Sequence, residues 1–165
     1  MSIDPIMYRQ VLGHFPTGVT VVTGTLDGEP VGFTIGSFTS VSLDPPLVGF
    51  LPMVTSDRWH RIRASGAFCV NVLAHDHDSL CWQFSKSSIE QPFDGVAWHP
   101  APISGSPVLD DAIAWIDCTI TEVVEAGDHH FVIGRVDELE HAHPDLDPQP
   151  LLFYRGKLGT FRPYA

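Results

Sequence analysis

The chain has 165 residues, 44% of them hydrophobic, which fills one substantial core and leaves no room for two full domains. Lys and Arg number 9 against 20 Asp and Glu, a formal net charge of −11. A surface this acidic repels nucleic acid and anionic membrane, so neither is expected as a partner. No window supplies the roughly 20 uninterrupted apolar residues of a membrane helix, and the first ten residues have neither a basic start nor a long apolar run. Cys69, Cys81 and Cys118 are odd in number, widely spaced and set in apolar stretches, so they are read as buried thiols. The expectation is a single domain over residues 1–165 in the reducing cytoplasm.

Asp4 before Pro5 has the form of an N-cap and first helical position, and Met7, Val11 and Phe15 recur at helical spacing beside Tyr8 and Leu12, predicting one short helix. From Gly18 the chain turns to β-branched and small residues, Val19-Thr20-Val21-Val22-Thr23. A turn at Asp27-Gly28 joins them to a second extended run from Val31 to Leu43, giving a hairpin. Pro45-Pro46 stops that strand, and Leu47 to Leu51 is a continuous apolar run of the kind buried on both faces. Ser56 is placed to cap a helix with Trp59 and Ile62 as its apolar stripe, ended by Gly66 after Ser65. Ala67 to Leu73 is again strand-like, and Asp76 is read as the cap of a short helix carrying Leu80, Cys81 and Phe84.

Ser85 to Pro107 is rich in Ser, Pro and Gly without sustained periodicity, and reads as a long surface excursion of the sort that is often functional. Ile116, Cys118 and Ile120 alternate with Asp117, Thr119 and Thr121, the pattern of a half-buried strand. Its antiparallel partner, Phe131 to Leu139, follows a turn at Ala126-Gly127-Asp128. A last apolar run, Leu151 to Tyr154, precedes the tail. The elements add up to a mainly β, antiparallel chain with a few helices, and short turns between strands favour a barrel over an open sheet.

No dinucleotide-binding or Walker glycine fingerprint follows any strand, and no serine nucleophile elbow is present, which argues against a doubly wound nucleotide domain. His75 with His77, and His141 with His143, sit two apart and would share one strand face. No Cys or carboxylate cluster completes a ligand set, so no metal site is expected. His75-Asp76-His77-Asp78 reads as a helix start, and the segment from His141 to Asp145 as a solvated loop.

Three segments have the makings of a site for an anionic, planar ligand. Arg58, Arg61 and Arg63 crowd one short helix that begins Thr55-Ser56-Asp57, where unpaired N–H groups, the positive dipole end and two hydroxyls suit a phosphate. An ordinary cap followed by a solvated basic face has the same sequence. Gly32-Phe33-Thr34-Ile35-Gly36-Ser37-Phe38-Thr39-Ser40-Val41-Ser42 combines two glycines, which admit a ring close to the backbone, with a row of hydroxyls. A twisted strand relieved by glycines reads alike. The turn Gly127-Asp128-His129-His130 is either a hairpin with a surface histidine or a histidine aimed at a ligand.

Taken together these segments resemble the flavin reductase-like family, nearly end to end. The resemblance rests on Phe15-Pro16-Thr17-Gly18-Val19-Thr20-Val21-Val22-Thr23, on Gly32 to Pro46 ending Ser40-Val41-Ser42-Leu43-Asp44-Pro45-Pro46, and on Phe68-Cys69-Val70-Asn71-Val72-Leu73. Phe93-Asp94-Gly95-Val96, Gly127-Asp128-His129 and Leu152-Phe153-Tyr154-Arg155-Gly156 complete it. It implies an FMN-binding split β-barrel, antiparallel and Greek-key, with a few short helices. The implied activity is hydride transfer from NADH or NADPH to FMN or FAD, supplying reduced flavin to a partner flavin-dependent monooxygenase, and the implied assembly is a homodimer.

By the same resemblance, Thr34, Ile35, Gly36 and Ser37 lie along the flavin ring, and Ser40, Val41 and Ser42 near the ribityl and phosphate groups. The helix start with Thr55, Ser56, Arg58 and Trp59 holds the phosphate, His129 stands on the nicotinamide side, and Phe93 and Tyr154 shape the pocket rim or the dimer contact. One departure is plain: Ile35 and Gly36 stand where many relatives carry alanine and asparagine, so a side-chain amide contact to the flavin is lost. Rival expectations are a flavin carrier of the same fold without nicotinamide turnover, a split-barrel oxidase or oxygenase, and a small-ligand barrel without flavin.

Overall fold

Asp27 and Gly28 take positive φ of 54° and 81°, the backbone of a two-residue hairpin turn, and join β2 (Thr20–Leu26) to β3 (Glu29–Ile35). In the computed structural model, which describes residues 3–141 and 148–164, this hairpin follows α1 (Pro5–Leu12) and β1 (Thr17–Gly18). After it come β4 (Thr39–Leu43), β5 (Pro46–Phe50), α2 (Asp57–Ser65), β6 (Ala67–Val72), α3 (Asp78–Ser85), β7 (Trp98–Pro100) and β8 (Pro107–Leu109). The long pair β9 (Ala114–Ala126) and β10 (His129–His141), then β11 (Leu151–Tyr154) and β12 (Lys157–Thr160), complete the fold.

Seven strands form one sheet in the order β3-β2-β6-β9-β10-β5-β4, every pairing antiparallel. Its two outermost strands, β3 and β4, are consecutive in the chain, with only Gly36, Ser37 and Phe38 between them. Ile35 and Thr39 are therefore at most about 14 Å apart, and the sheet must curl until its edges meet at that corner. Ser37 ties the corner down: its Oγ accepts the Leu51 N–H at 2.9 Å and donates to the Leu51 carbonyl. The single run expected from Val31 to Leu43 is broken here, because a continuous strand would hold the sheet open.

Alternate residues of β2 serve two cores. Val22 faces a cluster inside the curl with Phe50, Trp59, Ile62 and Phe68, where the Phe50 ring stands edge-on to Phe68 at 5.0 Å and to Trp59 at 5.8 Å. Val21 faces a second cluster with Leu73, Phe84, Leu109 and Leu151. Gly134 on β10 has no room for a side chain because the Phe68 ring fills the space. As read from the sequence, β5 is buried through Val48, Gly49 and Phe50, and Cys69, Cys81 and Cys118 are unpaired and buried.

Four expectations need correction. The excursion after Ser85 is not wholly superficial: it folds into the β7–β8 ribbon and buries Ala101, Ser106 and Val108. Asn71 anchors it, donating to the Pro107 carbonyl and accepting the Leu109 N–H at 2.8 Å. Because that segment covers β9, Asp117 is fully buried rather than solvent-facing, and its Oδ2 accepts the N–H groups of Ile103 and Ser104, both at 3.0 Å. The cap of α3 is His77 rather than Asp76; no side chain caps the helix start, and the His77 ring instead accepts the Ala74 N–H. The C-terminal segment turns at Arg155-Gly156 into a hairpin, and β1 joins it in a three-stranded sheet. Of the loop expected from His141 to Asp145, residues 142–145 lie outside the described residues, and His141 instead closes β10. Among the described residues no helix is long and apolar enough to cross a membrane.

Candidate functional site

Ser56 holds extended backbone and its hydroxyl accepts the Trp59 N–H, so α2 starts at Asp57; Gly66, at φ 78°, ends it. The cap satisfies one first-turn donor and leaves the N–H groups of Asp57 and Arg58 without an intrahelical partner. They sit at the rim of a cleft of about 760 Å³, lined also by the end of β3, residues 51–53, the end of α3 and His129.

The β3 side of this cleft is set by register. A two-residue turn makes Leu26 and Glu29 a hydrogen-bonded pair, and the pairs alternate from there, so Val21 and Thr34 are a non-hydrogen-bonded pair. The N–H groups of Thr34 and Gly36 consequently point away from β2, toward the side where β3 has no neighbouring strand. The hydroxyls are not free in the same way. Thr34 donates to the Cys81 carbonyl at 2.7 Å, and Ser37 is engaged with Leu51. The glycines also differ from expectation. A Cβ on Gly32 would meet the Phe84 ring at 3.0 Å, and one on Gly36 would meet the Thr17 hydroxyl at 3.1 Å. The ring Gly32 admits is the protein's own, and the cleft offers backbone donors rather than a row of hydroxyls.

Opposite, His129 opens β10 with its Nδ1 at 2.7 Å from Asp128 Oδ1. The hydrogen bond and charge of the imidazole hold the Asp128 carboxyl below the usual carboxylate range. With Nδ1 so engaged, Nε2 remains for a ligand. The next residue faces the other way, as strand alternation demands: His130 is buried, its Nδ1 accepts the Trp59 indole N–H at 2.9 Å, and its own N–H donates to the Pro52 carbonyl.

The fold thus gathers Thr34, Ile35, Gly36, Ser37, Thr55, Ser56, Arg58 and His129 around one cleft, and leaves six expected residues elsewhere. Trp59 is fully buried in the core, because it lies on the inner stripe of α2. Phe93 packs edge-on behind Phe84, at 5.0 Å, in the second core. Tyr154 lines a separate groove beside Arg155 and Lys157, on the C-terminal hairpin that forms its own sheet with β1. Ser40, Val41 and Ser42 sit on β4, the edge strand beyond the corner, and do not line the cleft. Arg58 lines the cleft, but its guanidinium donates to the carbonyls of Gly32, Phe84, Lys86 and Ile89; burial lowers its pKa.

Phe33 and Asp57 stand inside the candidate segments without a role of their own, and sequence reasoning missed Leu51, Pro52, Met53, Phe84, Ser85 and Ser87 as lining residues. Only Phe84 carried a signal, as the last apolar residue of a helix followed by Ser85-Lys86-Ser87-Ser88. A cleft of this volume holds a nucleotide-sized ligand. Backbone donors along one strand edge suit the polar edge of a planar ring, and the α2 start suits an anionic tail, so the residues present fit a flavin nucleotide.

A mainly antiparallel β fold curled around a core, with such a cleft at its open corner, defines the class of flavin-binding split barrels. Residues 12–162 match the family described as flavin reductase like domain, and the chain belongs to that family. It is 47% identical over 161 residues to a flavin reductase of Pseudomonas putida, covering 97% of this chain and 92% of that one. To HsaB of Mycobacterium tuberculosis, the reductase subunit of a flavin-dependent monooxygenase, it is 44% identical over 162 residues, covering 98% of this chain and 85% of that one. Among solved structures, nitrilotriacetate monooxygenase component B from Mycobacterium thermoresistibile is similar with a TM-score of 0.92 and 43% identity, over 96% of this chain and 87% of that one.

Proposed function

We propose that this chain is an NAD(P)H:flavin oxidoreductase that reduces FMN or FAD with NADH or NADPH and passes the reduced flavin to a partner monooxygenase. The observation that carries this reading is the single cleft in which the donors of β3 and the start of α2 stand together with His129. Its likeness to a flavin reductase and to the reductase subunit of a monooxygenase supports it.

The bound flavin supplies the redox chemistry, accepting a hydride from the reduced nicotinamide. The chain's own part is binding and orientation. The free N–H groups of Asp57 and Arg58, with the Thr55 and Ser56 hydroxyls, hold the phosphate at a helix start. The N–H groups of Thr34 and Gly36 hydrogen-bond the polar edge of the ring and favour negative charge there. Phe33, Leu51 and Pro52 exclude water from the ring side. Asp128 fixes the His129 imidazole, leaving Nε2 for the nicotinamide. No side chain here has to act as a nucleophile, which agrees with three thiols whose pKa burial pushes up.

The same reading takes residues 1–165 as one domain, acting in the cytoplasm as a homodimer. Supporting the dimer, α1 buries none of its residues, and Ile6, Met7, Tyr8, Val11 and Leu12 are each more than half exposed; a second copy covers such a face. The test is nicotinamide oxidation by the purified protein with and without each flavin. Oxidation that saturates with FMN or FAD is expected. Flavin binding without any stimulation would instead assign an electron carrier.

A further inference from the structure

All four terminal N–H groups of Arg58 point at backbone carbonyls. Nη1 reaches Phe84 O at 2.9 Å and Gly32 O at 3.4 Å, and Nη2 reaches Lys86 O at 3.1 Å and Ile89 O. These acceptors belong to β3, to the last turn of α3 and to the stretch after it. The last carbonyls of a helix have no intrahelical donor and carry the negative end of its dipole. No basic residue lies in the last turn of α3, so the cation arrives from α2, across the cleft. Phe84, Ser85 and Ser87 all line that cleft, and the guanidinium grips the backbone of Phe84 and of Lys86, which lies between the two serines.

We infer that the Arg58 side chain is a positioning group: its guanidinium fixes the α3-end wall of the flavin cleft through that wall's carbonyls and does not hydrogen-bond the flavin phosphate, which meets the Arg58 backbone N–H instead. This rests on the cleft being the flavin site. Lys offers three donors on one nitrogen and cannot span four carbonyls, so charge alone does not reproduce the grip.

The test uses Arg58→Lys and Arg58→Ala with FMN and with riboflavin, which has the ring but no phosphate. Both variants are expected to fold, since the two cores do not include Arg58. The Kd and KM for riboflavin and FMN should rise by the same factor, about tenfold, a loss of roughly 1.4 kcal/mol. Lys should not rescue, and kcat at saturating flavin should stay within about twofold. A protein destabilised only in general would instead lose kcat through its inactive fraction. With no flavin present, trypsin should cut after Lys86 about tenfold faster in either variant, because an ungripped wall opens more often. Unchanged riboflavin affinity with weakened FMN restored by Lys would overturn the inference. Unchanged cleavage after Lys86, or failure of both variants to fold, would overturn it too. Absence of flavin binding in the unmodified protein, beside faster cleavage in the variants, would contradict the flavin reading and leave the grip standing.

Discussion

His129 and Asp128 are neighbours on a tight turn, and their 2.7 Å contact orients an imidazole that faces the cleft. Replacing His129 by Ala should lower kcat/KM for NADH by about ten- to a hundredfold while flavin affinity stays within about twofold. Steady-state kinetics with varied nicotinamide at saturating flavin read this directly, and unchanged kcat/KM would remove His129 from the nicotinamide side. A second residue-scale effect lies away from the cleft, at Asp137. Burial pushes its carboxyl upward, but hydrogen bonds from Thr119 and Arg135 and the Arg135 charge outweigh this and leave its pKa lowered. A carboxyl whose folded pKa lies below its unfolded value of about 3.9 stabilises the fold above that value, and the contribution fades as pH falls through the folded pKa. Thr119→Val should therefore cost about 1 kcal/mol near neutrality and progressively less on acidification, measured by denaturant unfolding across the acid range. At this scale the sequence shows which residues have donors but not where the donors go. Thr34 and Ser37 have the composition of ligand contacts, yet their hydroxyls are satisfied by Cys81 and Leu51, residues that only the fold brings near.

Among the elements, α2 has the clearest sequence signature. Ser56, the stripe of Trp59 and Ile62, and Gly66 at φ 78° define its start, buried face and end, and the structure bears out all three. The stripe also marks Trp59 as a core residue, and the core is where it lies, although resemblance alone puts it with the phosphate. What the sequence does not show is the crossing from α2 to β10, where the Trp59 indole donates to buried His130. That bond sets the spacing between the helix start and His129, one residue away. Trp59→Phe should destabilise by about 1–2 kcal/mol by leaving a buried acceptor unpaired. His130→Gln, which keeps an acceptor, should cost less than His130→Leu. Urea unfolding of the three variants tests both. β9 shows the opposite case. Its alternation predicts an exposed Asp117, but the segment that covers this residue, through Ile103 and Ser104, has no periodicity of its own from which the covering could be read.

The whole molecule is decided by a connection three residues long. Gly36, Ser37 and Phe38 bring the outermost strands of a seven-stranded sheet together, and the same corner turns the free edge of β3 toward the start of α2. Antiparallel strands, their turns and a barrel are legible from alternation and turn residues. Which edge remains open is not, because β-strand order depends on pairings between residues far apart in the chain. Past that corner β4 carries Ser40, Val41 and Ser42 away from the cleft, so one continuous hydroxyl-rich sequence is divided between two surfaces. The central claim is that β3, α2, α3 and His129 form one flavin cradle. Titration of the purified protein with FMN and FAD, followed by the flavin spectrum, tests it most directly. Saturable binding with a perturbed spectrum, weakened by Ser56→Ala and by Gly36→Pro, is the predicted result; no saturation with either flavin would contradict it.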